Sequence, residues 1–194
     1  MSPSRSHTDR LKRIAYADPP YIGCAHLYKD HPDYDGEVDH LELLTRLQRD
    51  YDGWALSASS RSLPEILGYL RGQLWPAPRI LIWTKNSIRY AWEPVIIRSA
   101  RTPGNHLRDW LFCEPDAFQW RPKPGNHVLG AKPKPFCMWL FEWLGAEPGD
   151  TLDDLFPGSG AVGRAWEEYE QQPQILRVAR RESRRWDGLG VLDV

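Results

Sequence analysis

Four consecutive residues stand out for the chemistry they could support: Asp18, Pro19, Pro20 and Tyr21, which follow the short apolar run Ile14-Ala15-Tyr16-Ala17. Neither proline has an N–H and both have a fixed φ, so no helix or paired strand continues through them, and Asp18 is held extended ahead of Pro19. The stretch therefore predicts a buried strand that ends in a rigid corner. That corner offers a ligand one carboxylate, proline carbonyls with no N–H beside them, and an aromatic face. Such groups suit a planar molecule bearing an NH2, because the carboxylate and a proline carbonyl can accept from the amine while the ring stacks. A proline-terminated strand without catalysis has the same pattern, and the corner by itself leaves both readings open.

A second constellation lies near the other end of the chain. Thr151 to Phe156 reads as a short strand, Pro157-Gly158-Ser159-Gly160 as a glycine turn, and Ala161 to Trp166 as the start of a helix. Glycines in such a turn permit positive φ and close approach of a ligand to the backbone, and the helix that follows presents free N–H groups. A nucleotide-like cofactor is the natural guest, although many turns carry a lone Gly-x-Gly.

The elements between these two sites alternate. Val38, Leu41, Leu44 and Leu47 recur at helical spacing up to Tyr51-Asp52-Gly53. Trp54 to Ser59 reads as a strand, and Ser62-Leu63-Pro64-Glu65 opens a helix with Ser62 as its N-cap. Arg79 to Thr84 and Trp92 to Arg98 read as strands close enough for antiparallel pairing at the end of a mostly parallel sheet. Ala100 to Pro133 is irregular and reads as substrate-facing, and a helix with Phe136, Leu140 and Trp143 then runs to Gly145. Ile22 to Glu37 reads as a long loop of the kind that forms lids.

With 194 residues, 41% hydrophobic and 12% aromatic, the chain is long enough for one domain with a full core and is not a disordered polymer. The expected organisation is a disordered lead over 1–12, a domain over 13–172 and a basic tail over 173–194. The formal net charge of −1 does not announce a nucleic-acid partner, and no apolar run approaches the length of a membrane span. No secretory signal is visible, so cytoplasmic residence is expected. Cys24, Cys113 and Cys137 form no Cys-x-x-Cys pair, which predicts reduced thiols. His26, His31 and His40, with Cys24, Asp30 and Asp33, lack the spacing of a metal site, and no metal is expected.

Taken together, the two constellations resemble a known family. Asp18-Pro19-Pro20-Tyr21 looks like the Asp-Pro-Pro-Tyr catalytic motif of S-adenosylmethionine-dependent DNA amino-methyltransferases, which modify exocyclic amines of adenine or cytosine. Asp154-Leu155-Phe156-Pro157-Gly158-Ser159-Gly160 is similar to their Asp-Pro-Phe-x-Gly-Ser-Gly cofactor motif, with Leu155 in place of proline. Lys134-Pro135, within Gly130-Ala131-Lys132-Pro133-Lys134-Pro135, resembles the Lys-Pro segment that precedes the cofactor strand. The order is the circularly permuted one, with the catalytic motif first, and the resemblance runs from about Arg13 to Trp166.

The resemblance implies an α/β, Rossmann-like methyltransferase fold with a mostly parallel sheet, and S-adenosyl-L-methionine as cofactor. Asp18 would accept from the target amine, the Pro19 carbonyl would accept the other proton, Pro20 would stiffen the corner and Tyr21 would stack on the base. Asp18, Lys134, Pro135, Asp154, Phe156, Pro157, Gly158, Ser159 and Gly160 would form the cofactor bed. Positioning and electrostatics would supply the catalysis, since the sulfonium methyl is already activated. Base flipping in duplex DNA would draw on cations of the irregular segment, for which Arg98, Arg101, Arg108, Arg121 and Lys123 are the choices. Asp in the first motif position favours adenine N6 in DNA. RNA adenine is the near alternative, and a small-molecule amine or a non-catalytic nucleic-acid-binding subunit are the others.

One expected feature is missing. In the family a second strand ends in an acid that binds the cofactor ribose, whereas Gln174 to Ala179 has no acid at its end and is followed by the basic run Arg180 to Arg185. The chain also leaves little room for a separate recognition domain, which weak sequence specificity, weakened cofactor binding, a homo-oligomer or a helper subunit would accommodate.

Overall fold

The computed structural model describes residues 10–29, 35–71, 77–86, 91–114 and 131–171. Six strands and four helices follow in the order β1 (Arg13–Ala17), α1 (His40–Asp50), β2 (Gly53–Ser57), α2 (Leu63–Leu70), β3 (Arg79–Thr84), β4 (Trp92–Arg98), β5 (Trp110–Phe112), α3 (Lys134–Leu144), β6 (Thr151–Asp154) and α4 (Ala161–Gln171). The strands form one sheet ordered β5-β3-β4-β2-β1-β6. Only β4 runs against the others: β1 is parallel to β2 and β6, β3 is parallel to β5, and β4 is antiparallel to both β2 and β3. The antiparallel turn-back of β3 and β4 is the one expected from their short separation.

Alternate residues of the central strands feed two separate cores. Ile14, Tyr16, Ala55, Leu81, Trp83, Val95 and Ile97 face α3 and α4, while Ala15, Ala17, Trp54, Leu56 and Ile96 face α1 and α2. This is the two-sided burial that makes the strands of a covered sheet apolar throughout. On the α1 side His40, Leu43, Leu44 and Leu47 are buried; of the expected row Leu44 and Leu47 lie in the core and Val38 packs against it, while Leu41 is exposed. Asp39 caps the helix by accepting from the Leu41 and Glu42 N–H groups.

Other boundaries also shift. Ser62 occupies the N-cap position of α2 without capping it, because its hydroxyl pairs with Ser59 Oγ at 2.6 Å. The irregular segment after Ala100 contains β5, which the sequence reading missed; three residues on a sheet edge are too few to carry a periodic signal. Helix α3 begins with proline at its first turn and stops at Gly145, whose φ of 70° and crowding against Arg101 Cβ leave no place for a side chain.

Candidate active site

The two constellations, some 135 residues apart in sequence, meet at neighbouring strand ends. β1 and β6 pair in parallel with Tyr16 opposite Asp154, and Leu155 N–H donates to Tyr16 O at 2.9 Å just beyond. Asp18 and the glycine turn therefore leave the same edge of the sheet side by side. The chain after β1 enters α1 on one face, and the chain after β6 enters α4 on the other. Adjacent parallel strands whose following helices diverge open a crevice at their carboxyl ends, the usual ligand position in open α/β sheets.

On the β6 side, Gly158 and Gly160 have φ of 45° and 69°. Gly160 N–H donates to Pro157 O at 2.6 Å, which closes the turn, and Ser159 Oγ accepts from Ala161 N–H at the mouth of α4. Phe156 is half-buried against the α1 core, while Pro157 and Gly158 are exposed. Asp154 takes a backbone hydrogen bond from Phe156 and has its carboxyl raised by burial. Its Oδ1 is buried and has no partner. A buried acceptor of this kind is costly unless something donates to it.

On the β1 side, Pro19 is buried and Pro20 and Tyr21 are half-buried. Tyr21 O accepts from Cys24 N–H at 2.7 Å, and burial, with the Glu93 and Asp18 carboxylates near, raises the Tyr21 phenol. Asp18 Oδ1 lies 3.0 Å from Lys132 Nζ, which in turn lies 2.6 Å from Glu93 Oε1. Lys85 Nζ holds the other Glu93 oxygen at 2.7 Å. The Trp83 ring lies beneath both ammonium groups, 4.1 Å from Lys85 and 5.3 Å from Lys132. Two carboxylates and two ammonium groups thus close a chain of charge at the floor of the corner. Burial raises the Asp18 carboxyl to about 6 against the pull of Lys132. It works to raise Glu93 as well, but Lys132 and Lys85 together hold that carboxyl down at about 2.

Some residues chosen from the sequence sit elsewhere. Lys134 is exposed and pairs with Glu168, and Pro135 is exposed in the first turn of α3. The Lys-Pro pair that reaches the corner lies two residues earlier, Lys132 and Pro133, both buried where the chain enters the helix. Arg98 ends β4 at the edge of the sheet opposite Asp18, since β4 is reversed and Arg98 pairs with Trp54 while Val95 pairs with Ser57. Arg101 lies at that opposite edge too, bound to Asp150 just ahead of β6. Arg108 precedes β5 there, with its guanidinium 5.5 Å from the Trp110 ring. A reversed strand carries its last residue to the far edge, which is why these three arginines do not border the corner. Arg121 and Lys123 lie outside the described residues, as do Asp30, His31 and Asp33.

Glu93, Lys132 and Lys85 were missed, although a signal existed. Glu93 interrupts an apolar strand on the same parity as Val95 and Ile97, and Lys85 follows Leu81 and Trp83 on theirs, so both had to face a core. Charges in such positions need partners.

The sequence matches no protein-family profile and no curated protein. Its fold is the Rossmann-like methyltransferase fold. The chain is similar to the crystal structure of M1.HpyAVI at 17% identity, with a TM-score of 0.54 over 82% of this chain and 78% of that one. It is similar also to the crystal structure of the M1.HpyAVI-SAM complex at 18% identity, with a TM-score of 0.55 over 84% of this chain and 80% of that one. Among the described residues no helix is long and apolar enough to cross a membrane.

Proposed function

We propose that this protein is an S-adenosyl-L-methionine-dependent methyltransferase acting on an exocyclic amine of a nucleobase, foremost adenine N6 in DNA. The observation that carries the reading is the juxtaposition of a proline-stiffened Asp18 with the orphaned Asp154 Oδ1, at the carboxyl ends of neighbouring parallel strands. The likeness of the fold to a structure that contains SAM supports it.

In this reading Asp154 Oδ1 takes the cofactor's ammonium group, and the Gly158 to Gly160 turn and the half-buried Phe156 shape the bed. The bound sulfonium supplies an activated methyl group. Lys132 occupies Asp18 Oδ1, so the other carboxylate oxygen accepts one N–H of the target amine, and the Pro19 carbonyl accepts the second. Tyr21 offers its ring face to the base. The Asp18 carboxylate also faces the positive charge that develops on nitrogen, and it accepts the proton which that nitrogen sheds.

The test is transfer of labelled methyl into duplex DNA, single-stranded DNA and RNA in parallel, followed by digestion and mass identification of the nucleosides. Methyladenine in duplex DNA is expected; methyladenine in RNA alone would move the substrate to RNA. Asp18→Ala should keep cofactor affinity and abolish transfer, and equal loss of both would overturn the role given to Asp18.

A further inference from the structure

Asp18 does not face solvent alone. Its surroundings contain Lys132 from the segment before α3, Lys85 after β3, Glu93 on β4, Tyr16 on β1, and Tyr21 and Tyr28 in the chain that follows the corner. The three phenols are all shifted upward, chiefly by burial, and stay neutral around pH 7. The sign of the local field is therefore set by the two lysines and Glu93.

Lys132 cannot serve Asp18 without also serving Glu93. Its ammonium is closer to Glu93 than to Asp18, 2.6 against 3.0 Å, and its side chain is 4% exposed. The backbone around it is fixed as well, since Pro133 O accepts from Cys137 N–H in the first turn of α3. Glu93 meanwhile is also held by Lys85 Nζ at 2.7 Å, so its place beside Lys132 is fixed from both sides.

We propose that Glu93 and Lys132 act as a positioning pair that holds Asp18 as a carboxylate open to an amine. The proposal rests on the reading of Asp18 as the amine acceptor. Lys132 keeps the half-buried carboxylate charged. Glu93 takes the larger share of Lys132, so that Asp18 is not closed off in a tight ion pair of its own.

The experiment is a titration of the Asp18 carboxyl carbon by 13C NMR in the unliganded protein, Lys132→Met, Lys132→Arg and Glu93→Gln, beside the pH profile of methyl transfer. Loss of Lys132 should raise the Asp18 midpoint by about one to three units, the usual effect of a close opposite charge, and shift the acid limb of transfer upward with it. Glu93→Gln should lower the midpoint and shift the limb downward, and Lys132→Arg should stay within about one unit of the parent. Midpoints that do not move, or that move the same way in Lys132→Met and Glu93→Gln, would overturn the proposal. If Lys132→Met does not fold, Glu93→Gln alone decides, and an unchanged or raised midpoint there overturns it. Because the titration needs neither cofactor nor substrate, absence of transfer by the parent protein would count against the methyltransferase reading separately.

Discussion

Arg101→Met tests whether the arginines after β4 hold the fold together or hold a ligand. The Asp150 side chain is fully buried and takes four donors: Arg101 Nη1 at 2.5 Å, Arg101 Nη2 at 2.9 Å, and the N–H groups of Lys12 and Glu147 at 2.8 Å each. Burial works against this carboxylate, but Arg101 and the backbone donors keep it below its ordinary range. Removing the guanidinium leaves a buried charge with half its partners. Breaking a buried pair from one side costs about 3–5 kcal/mol, and the two remaining backbone donors place this one at the lower end, ~3 kcal/mol. For a chain of this size that is a fall in Tm of roughly 6–12 °C, read by thermal and urea denaturation at neutral pH. The deficit should vanish as the pH falls through the depressed Asp150 value, where a neutral acid no longer needs the cation. Adding Asp150→Asn to Arg101→Met removes the uncompensated charge but turns one acceptor oxygen into an NH2 that faces a backbone N–H, so it should return only part of the loss. A variant that melts within ~1 kcal/mol of the parent but binds nucleic acid more weakly would refute the structural role and restore the one inferred from sequence.

Two further outcomes follow from the site. Asp154→Ala removes a buried oxygen that has no partner together with the acceptor of the Phe156 N–H, so the unliganded protein should change by no more than ~1 kcal/mol; the stabilisation that S-adenosyl-L-methionine gives the parent, about 2.7 kcal/mol at a hundredfold excess over Kd, should disappear. A Tm rise retained in full would remove Asp154 from the cofactor bed. Asp18 makes the folded protein bind a proton between its unfolded value near 4 and its folded value of about 6, so its contribution to stability is present below pH 4 and is lost as the pH rises to 6. Asp18→Asn should abolish that downward slope, roughly 2–3 kcal/mol at 1.4 kcal/mol per unit, in urea melts taken across the window, and an unchanged slope would mean that Asp18 is not the group responsible.

The sequence by itself determined the parts that depend on local chemistry. Prolines fix the corner at Asp18 whatever surrounds it. Glycines make the turn after Asp154 possible, and both read directly because φ restrictions act within two residues. Strand and helix alternation was legible for the same kind of reason: two-sided burial writes continuous apolar runs, as in β1, β2 and β4. β5 stayed hidden because a three-residue edge strand has no pattern of its own, and on α1 Leu41 alone of the expected row is exposed, because periodicity fixes spacing but not how far the apolar stripe extends to either side.

Only the tertiary structure decided which charges belong together. That Lys132 and not Lys134 reaches Asp18 depends on where the chain enters α3, a choice between two Lys-Pro pairs that sequence cannot separate. That Arg98, Arg101 and Arg108 lie away from the corner depends on the reversal of β4 and on the edge from which each following segment departs. Glu93 joins the site because that same reversal carries the start of β4 to the carboxyl ends of β2 and β3. Direction along a strand leaves no mark on composition, yet it determines which end of the sheet every side chain serves.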